Sequence, residues 1–290
     1  MSRASVAALF LVVATVMPLP AAAGPLEDGF AALQKKDYDK ALSLFLPLAK
    51  AGNAVAQFNL GALYDFALGV PNNDREATQW YLKAAEQGHA DAQFRLGFLY
   101  AEGRGVSKDY KKAMEWYLRA ASQGSAMAQH NIGSLYFNGY GVEKDDKKAA
   151  EWYTKAAAQG LHTAENALGT MYVKGWGVEK DVNKGLEWTM KAADSGIPIA
   201  QANAVNIYLA NAKEGNPGAM HNVATLCLKG WAGEHKPEDC LAWYEQAAEK
   251  GLDASRNSLA EVYDRGLFGI PIDKQRAQYW RAQIGKKAEQ

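Results

Sequence analysis

Three stretches of the chain pair two glycines ahead of an acidic residue: YAEGRGVSKD (Tyr100–Asp109), YFNGYGVEKD (Tyr136–Asp145) and YVKGWGVEKD (Tyr172–Asp181). A G-x-G loop can bare its backbone to a phosphate. A nucleotide site is needed once, whereas this loop returns every 36 residues, so the glycines read as turns between structural elements. The five histidines, His89, His130, His162, His221 and His235, offer bases and metal ligands. None stands in an H-E-x-x-H pair, and neither Ser-x-x-Lys nor G-x-S-x-G occurs. Nucleophilic catalysis needs a base held beside its nucleophile, and no motif here supplies that pairing. His130 and His221 share a repeat position but are too far apart in the array to be obvious co-ligands. The sequence therefore predicts a non-enzyme with no metal and no cofactor.

Bulk composition narrows the class further. The 290 residues carry 32 basic and 32 acidic groups, with no basic tract, which argues against a nucleic-acid partner. Nearly half the residues are apolar, 48%, too many for a disordered chain. The first 23 residues differ in kind: Arg3 is their one charge, Val6 to Met17 is apolar, and Ala21-Ala22-Ala23 precedes Gly24. That layout predicts a secretory signal over 1–23, cleaved near Ala23. Its apolar run, about a dozen residues, is short for a membrane span. The expectation is a periplasmic or secreted protein with no stable membrane insertion.

The elements that position these residues recur with the glycines. Residues 54–89, 90–125, 126–161 and 162–197 align without a gap, and tryptophans fall at Trp80, Trp116, Trp152 and Trp188. A fixed period of this length marks a solenoid. Each block reads as two helices. Ala92, Leu96, Gly97 and Tyr100 share a face of the first, and Ala113, Trp116 and Ala120 a face of the second. Asp109 and its equivalents Asn73, Asp145, Asp181 and Asp273 are placed to cap second helices. Gly88, Gly124, Gly160, Gly196 and Gly251 end them. Small residues at Gly61, Gly97, Gly133 and Gly169, and at Ala77, Ala113, Ala149, Gly185, Cys240 and Ala277, let the helices approach, with the tryptophan expected to fill the space alongside. Residues 198–216 break the rule. They lack the G-x-G loop and the tryptophan, and read as one helix from about Ile199 to Lys213, closed by Gly215. That unpaired helix either is a silent deletion or bends the array between 54–197 and 217–290.

The pattern A-x-x-x-LG-x-x-Y…GxGV…D…KA-x-x-WY-x-KAA-x-x-G resembles the Sel1-like repeat, a relative of the tetratricopeptide repeat. The match runs from Ala54 to about Gly196 as four repeats and over 217–290 as two more. Residues 24–53, with Asp37-Tyr38-Asp39-Lys40-Ala41 and Phe45, look like a tetratricopeptide-type leading helix pair. The resemblance implies an all-α fold, a right-handed superhelical α-solenoid of stacked helix hairpins. It also implies a non-catalytic adaptor of the bacterial cell envelope that binds a protein or peptide; a glycan or peptidoglycan binder is the alternative, since aromatic rows also stack on sugars. A hydrolase of the cysteine-rich Sel1-like type ranks third, because the regular cysteine ladder is missing.

Two surfaces are candidates for the partner. In tetratricopeptide arrays the first helices line the concave side, which by resemblance places Phe58, Phe94, Phe98, His130, Asn166 and His221 in a groove, unless they pack between repeats. The middle residues of the G-x-G turns form the second surface. Tyr140, Trp176 and Trp231, with Phe268 near the equivalent turn, would make an aromatic ridge, unless each ring folds back onto the next repeat. Exposed aromatics favour interface hot spots. Cys227 and Cys240 occupy facing positions of one hairpin. In an oxidising compartment they are expected either to bridge or to remain two buried thiols.

Overall fold

The computed structural model describes residues 24–287, so the expected signal segment lies outside the described residues. Among these, fifteen α-helices and one short 3-10 turn occur and no strand. In chain order they are α1 (Pro25–Gln34), α2 (Tyr38–Lys50), α3 (Ala54–Phe66), α4 (Asp74–Glu86), α5 (Ala90–Glu102), α6 (Tyr110–Ser122), α7 (Ala126–Asn138), α8 (Asp146–Ala158), α9 (His162–Lys174), α10 (Val182–Asp194), α11 (Pro198–Lys213), α12 (Pro217–Leu228), α13 (Pro237–Glu249), α14 (Asp253–Arg265) and α15 (Lys274–Gln283). The chain divides into two compact units, one ending at Gln159 and one beginning at Gly160. The first holds α1–α8 as four helix hairpins, and the second holds α9–α15.

Local chemistry sets the helix limits. The carboxylates of Asp109, Asp145, Asp181 and Asp273 and the amide of Asn73 each accept a backbone N–H of the first turn of the helix that follows, satisfying donors the helix cannot. First helices stop at a left-handed residue, Gly103, Gly139 or Gly175. The conformation costs glycine little because it has no Cβ.

Within each hairpin the close approach is made at glycine. A Cβ added at Gly61, Gly97 or Gly133 would lie within 2.9 Å of the ring of Tyr81, Tyr117 or Tyr153. The residue filling the space is therefore the tyrosine that follows each tryptophan, a correction to the expectation that the tryptophan does so. Helical geometry explains it: adjacent residues point about 100° apart, so only one of the pair can face the glycine. The tryptophans lie to the side, Trp80 buried and Trp116, Trp152 and Trp188 half-buried, and each carries a cation three residues on, Lys83 over Trp80, Arg119 over Trp116, Lys155 over Trp152 and Lys191 over Trp188, at 4.0–4.4 Å. In the second unit Thr189 replaces the tyrosine, and Gly169 and Gly185 face each other. A Cβ on Gly185 would be 2.8 Å from the Gly169 carbonyl oxygen.

Successive hairpins of the first unit are joined by amides. Gln87 Nε2 donates to Gln57 Oε1 (2.7 Å), Gln123 to Gln93 (2.8 Å) and Gln159 to Gln129 (2.8 Å). Gln57 and Gln93 donate in turn to the Ala49 and Ala85 carbonyls of the preceding hairpin. In the second unit α11 is a single helix of 16 residues, within a residue of the sequence expectation at its start. It packs on α10 and α12 through buried Ala200, Ala204, Val205 and Ala212. The boundary between the compact units thus falls one repeat ahead of this helix.

Candidate functional site

The residues predicted for a groove do not form one row. Phe58 is 1% exposed and Phe94 7%. Phe58 stacks on His89 at 4.6 Å and meets Tyr81 at 5.6 Å, and Phe94 lies 6.0 Å from Tyr117. His130 and His221 occupy the same register, 5.2 Å from Tyr153 and 4.9 Å from Tyr244. This position therefore packs inside the hairpin against the second helix, which corrects the reading of Phe58 and Phe94 as groove-lining. The period-based alignment fixes which residues are equivalent but not which way the shared position points. Burial pushes the His130 imidazole down to about 4, and its Nδ1 has no hydrogen-bond partner among the described residues. Burial lowers His221 as well, and its Nδ1 sits 2.9 Å from the Ser255 hydroxyl. Asn166 Oδ1 accepts a hydrogen bond from Asn203 Nδ2 at 3.0 Å.

Phe98 is different. It is half-buried at the rim of a cleft of about 160 Å³ in the first unit, together with Glu102, Tyr110, Asn131, Ser134 and Tyr140. Tyr140, 46% exposed, stacks on Tyr110 with centroids 4.8 Å apart and planes at 14°. Lys108 Nζ lies 4.8 Å from the Tyr110 ring. The cleft thus unites one residue expected in the groove, Phe98, with one expected on the ridge, Tyr140. Tyr110 was missed by the sequence reading. The signal for it was the second glycine of the next loop: a Cβ at Gly141 would fall 2.6 Å from Tyr110 Cβ, so each loop must seat on the start of the previous second helix.

The other turn residues are held in different ways. Leu68 is buried. Arg104 is bound to Asp65 and Asp74 at 2.6 and 2.5 Å. In the second unit Trp176 and Phe268 are exposed. Trp231 is half-buried against Leu226 and its neighbours, with Lys229 Nζ 5.1 Å from its ring. Cys227 and Cys240 are joined by a disulfide that ties α12 to α13, Cα atoms 5.6 Å apart.

One cluster has the residue types of a catalytic triad. Ser195 Oγ is 3.2 Å from His162 Nδ1, and Glu165 Oε2 is 2.9 Å from the same nitrogen. A relay needs both ring nitrogens, one to the nucleophile and one to the carboxylate, so this arrangement cannot pass a proton from serine to histidine. Glu165 and Ser195 occupy the positions filled elsewhere by the paired glutamines, and the cluster is a structural variant of that rung. Among the described residues no group of three or more His, Cys, Asp or Glu could hold a metal ion. No described helix is long and apolar enough to cross a membrane.

The Sel1 repeat family model matches residues 24–53, 54–89, 90–125, 126–161, 162–197, 217–252 and 254–280. Between residues 24 and 280 it passes over 198–216, which holds the odd helix, and the single residue 253. Among solved structures, c5321, described as a protective antigen present in uropathogenic Escherichia coli strains displaying an SLR fold, is 34% identical, with a TM-score of 0.63 over 89% of this chain. The chain spans 60% of that antigen's length. A Sel1 repeat protein from Oxalobacter formigenes is 32% identical with a TM-score of 0.61, covering 89% of this chain and 97% of that one. No curated protein gives a significant match.

Proposed function

The chain belongs to the Sel1 repeat family, whose repeats mediate protein–protein interaction, and from that premise we propose that it is a non-catalytic adaptor exported to the bacterial envelope. The observation that carries the binding reading is the cleft between Phe98 and the stacked Tyr110–Tyr140 pair. Rings that remain exposed after they have found a packing partner are the type of surface that protein partners cover. Glu102 and Lys108 beside them add polar contacts of both signs. Export rests on Arg3, the apolar run to Met17 and the alanines at 21–23, and places the adaptor in the periplasm or outside the cell. A role in envelope signalling or assembly follows from that location.

The experiment is crosslinking of the full-length protein in cells followed by mass spectrometry, beside Tyr140→Ala and Trp176→Ala/Trp231→Ala variants of equal stability. One enriched protein lost with Tyr140→Ala places the interface at the cleft. Loss with the tryptophan pair moves it to the second unit. No protein partner in any sample, with retention on purified cell-wall sacculi, would replace the protein partner by a glycan.

A further inference from the structure

The last hairpin departs from those of the first unit at the loop. Gly69, Gly105 and Gly141 each press against the start of the preceding second helix. A Cβ there would lie 2.7 Å from Tyr38 Cβ, 2.1 Å from the Asp74 carbonyl oxygen and 2.6 Å from Tyr110 Cβ. The last loop, Gly266-Leu267-Phe268-Gly269-Ile270-Pro271-Ile272-Asp273, is one residue longer. Phe268 takes a left-handed φ of 57°, and Gly269 has nothing within 4 Å of its Cβ position. Ile270 of this loop is buried in one cluster with Leu241 of α13, but the close glycine approach of the first-unit loops is absent. A cavity of about 390 Å³ results, walled by Glu238, Leu241 and Glu245 of α13 and by Ile272 of the loop, with Tyr263 and Arg276 beside them.

Its charge is unbalanced. Arg276 Nη1 donates to the Tyr263 hydroxyl at 2.8 Å, and its Nε lies 3.7 Å from Asp273 Oδ2. The Tyr263 hydroxyl donates to Glu245 Oε1 at 3.4 Å. Neither Glu238 nor Glu245 forms a salt bridge among the described residues. The two lie seven residues apart on α13, with Leu241 between them on the same face. Ile272 in the cavity wall is 62% exposed and Phe268 on the same loop 51%, so exposed apolar residues of the loop stand opposite the two carboxylates, Glu238 at the surface and Glu245 half-buried.

We infer that this cavity receives a basic side chain, arginine or lysine, presented by an extended segment of a partner polypeptide. Its alkyl stem lies between Leu241 and Ile272, its charge meets Glu238 and Glu245, and apolar residues on either side of it cover Phe268 and Ile272. Long cationic side chains suit such a site because the stem is apolar and the head is not. The inference rests on the adaptor reading and adds the chemistry of one partner segment to it.

The test uses the full chain with methyl-labelled isoleucine and leucine, titrated with the peptide Gly-Ser-Gly-Leu-Arg-Leu-Gly-Ser-Gly, its lysine counterpart and its citrulline counterpart, which keeps the shape and removes the charge. The expected result is saturable shifts at Leu241, Ile270 and Ile272 with the arginine and lysine peptides. Binding should weaken about tenfold or more with citrulline, and equally in a Glu238→Gln/Glu245→Gln variant with an unchanged unfolding midpoint. Equal affinity for the citrulline peptide, undiminished binding by the double variant, or no shift with any peptide would overturn the inference. Crosslinking capture of a partner is read separately. A captured partner alongside failed peptides ends the basic-segment inference and leaves the adaptor standing, whereas an absent partner alongside bound peptides does the reverse.

Discussion

Replacing Arg104 by alanine tests whether the middle of a G-x-G turn is architecture or binding surface. Arg104 reaches back from its own hairpin to Asp65 and Asp74 of the previous one. Nη2 lies 2.6 and 2.5 Å from their oxygens, and Nε 3.2 Å from the second Asp74 oxygen. The Asp65 side chain is 1% exposed, that of Arg104 24%. Stranding one member of a buried pair costs about 3–5 kcal/mol. Water can enter where Arg104 leaves, so the cost falls to or just below the lower end, about 2–3 kcal/mol. In an Asp65→Asn background there is no buried charge to strand, and the same truncation should cost about 1 kcal/mol, a coupling of about 1–2 kcal/mol. Urea unfolding of the four proteins at fixed salt reads these numbers. Hydrogen exchange should localise the loss to α3–α5, because stability in repeat arrays is a nearest-neighbour sum. A cost below about 0.5 kcal/mol for Arg104→Ala, or strict additivity with Asp65→Asn, would refute the clamp. Partner capture should be unchanged at matched stability.

Three further outcomes are expected. His130 titrates near 4 when folded against about 6.5 unfolded. The unfolded chain therefore takes up a proton that the fold refuses, and stability should fall as pH drops from about 6.5 to 4, by up to about 3 kcal/mol. His130→Phe should flatten that interval in unfolding titrations. Reducing Cys227–Cys240, which closes a sequence separation of 13, should lower stability by about 3 kcal/mol on the chain-entropy model, measured as a shift in urea midpoint with and without reductant. Phe268→Gly removes a side chain from a left-handed backbone and should raise stability by about 1 kcal/mol while weakening the basic peptides, checked by the same unfolding and methyl titrations.

The helices, caps and turns were legible because most rest on local chemistry repeated at one period: an Asp or Asn ahead of the second helices other than α13, which follows Lys236, a glycine after them, and a glycine at the close contacts of Gly61, Gly97, Gly133 and Gly169. The single helix at 198–213 was legible for the same reason, as an interruption of that period. Side-chain direction was harder to read. Phe58, Phe94 and His130 share a register, but whether it faces a groove or the companion helix depends on how tightly the hairpin closes, and that is set by glycine and tyrosine on different helices. The turn residues were legible as a set but not as individuals. Leu68, Arg104, Tyr140 and Trp176 occupy equivalent positions, yet one is buried, one ion-paired, one stacked and one exposed. Their fates follow from the residue types at their neighbours: Asp65 and Asp74 hold Arg104, and Tyr110 holds Tyr140.

The glutamine rungs of the first unit all point one way. Each second-helix amide donates to a first-helix amide of its own hairpin, and for Gln57 and Gln93 that amide donates to the hairpin before. For this amide joint a hairpin carries both glutamines within its own 36 residues and asks of its predecessor a backbone carbonyl, which every helix offers. Such a segment behaves as a cassette. A copied 90–125 block spliced after Gly124-Ser125 would arrive with its glutamine donors and acceptors in register, while its copy of Arg104 would meet Ala101 and Tyr110 where the original meets Asp65 and Asp74, so lengthening the array by gene duplication asks for one compensating change, at that turn residue.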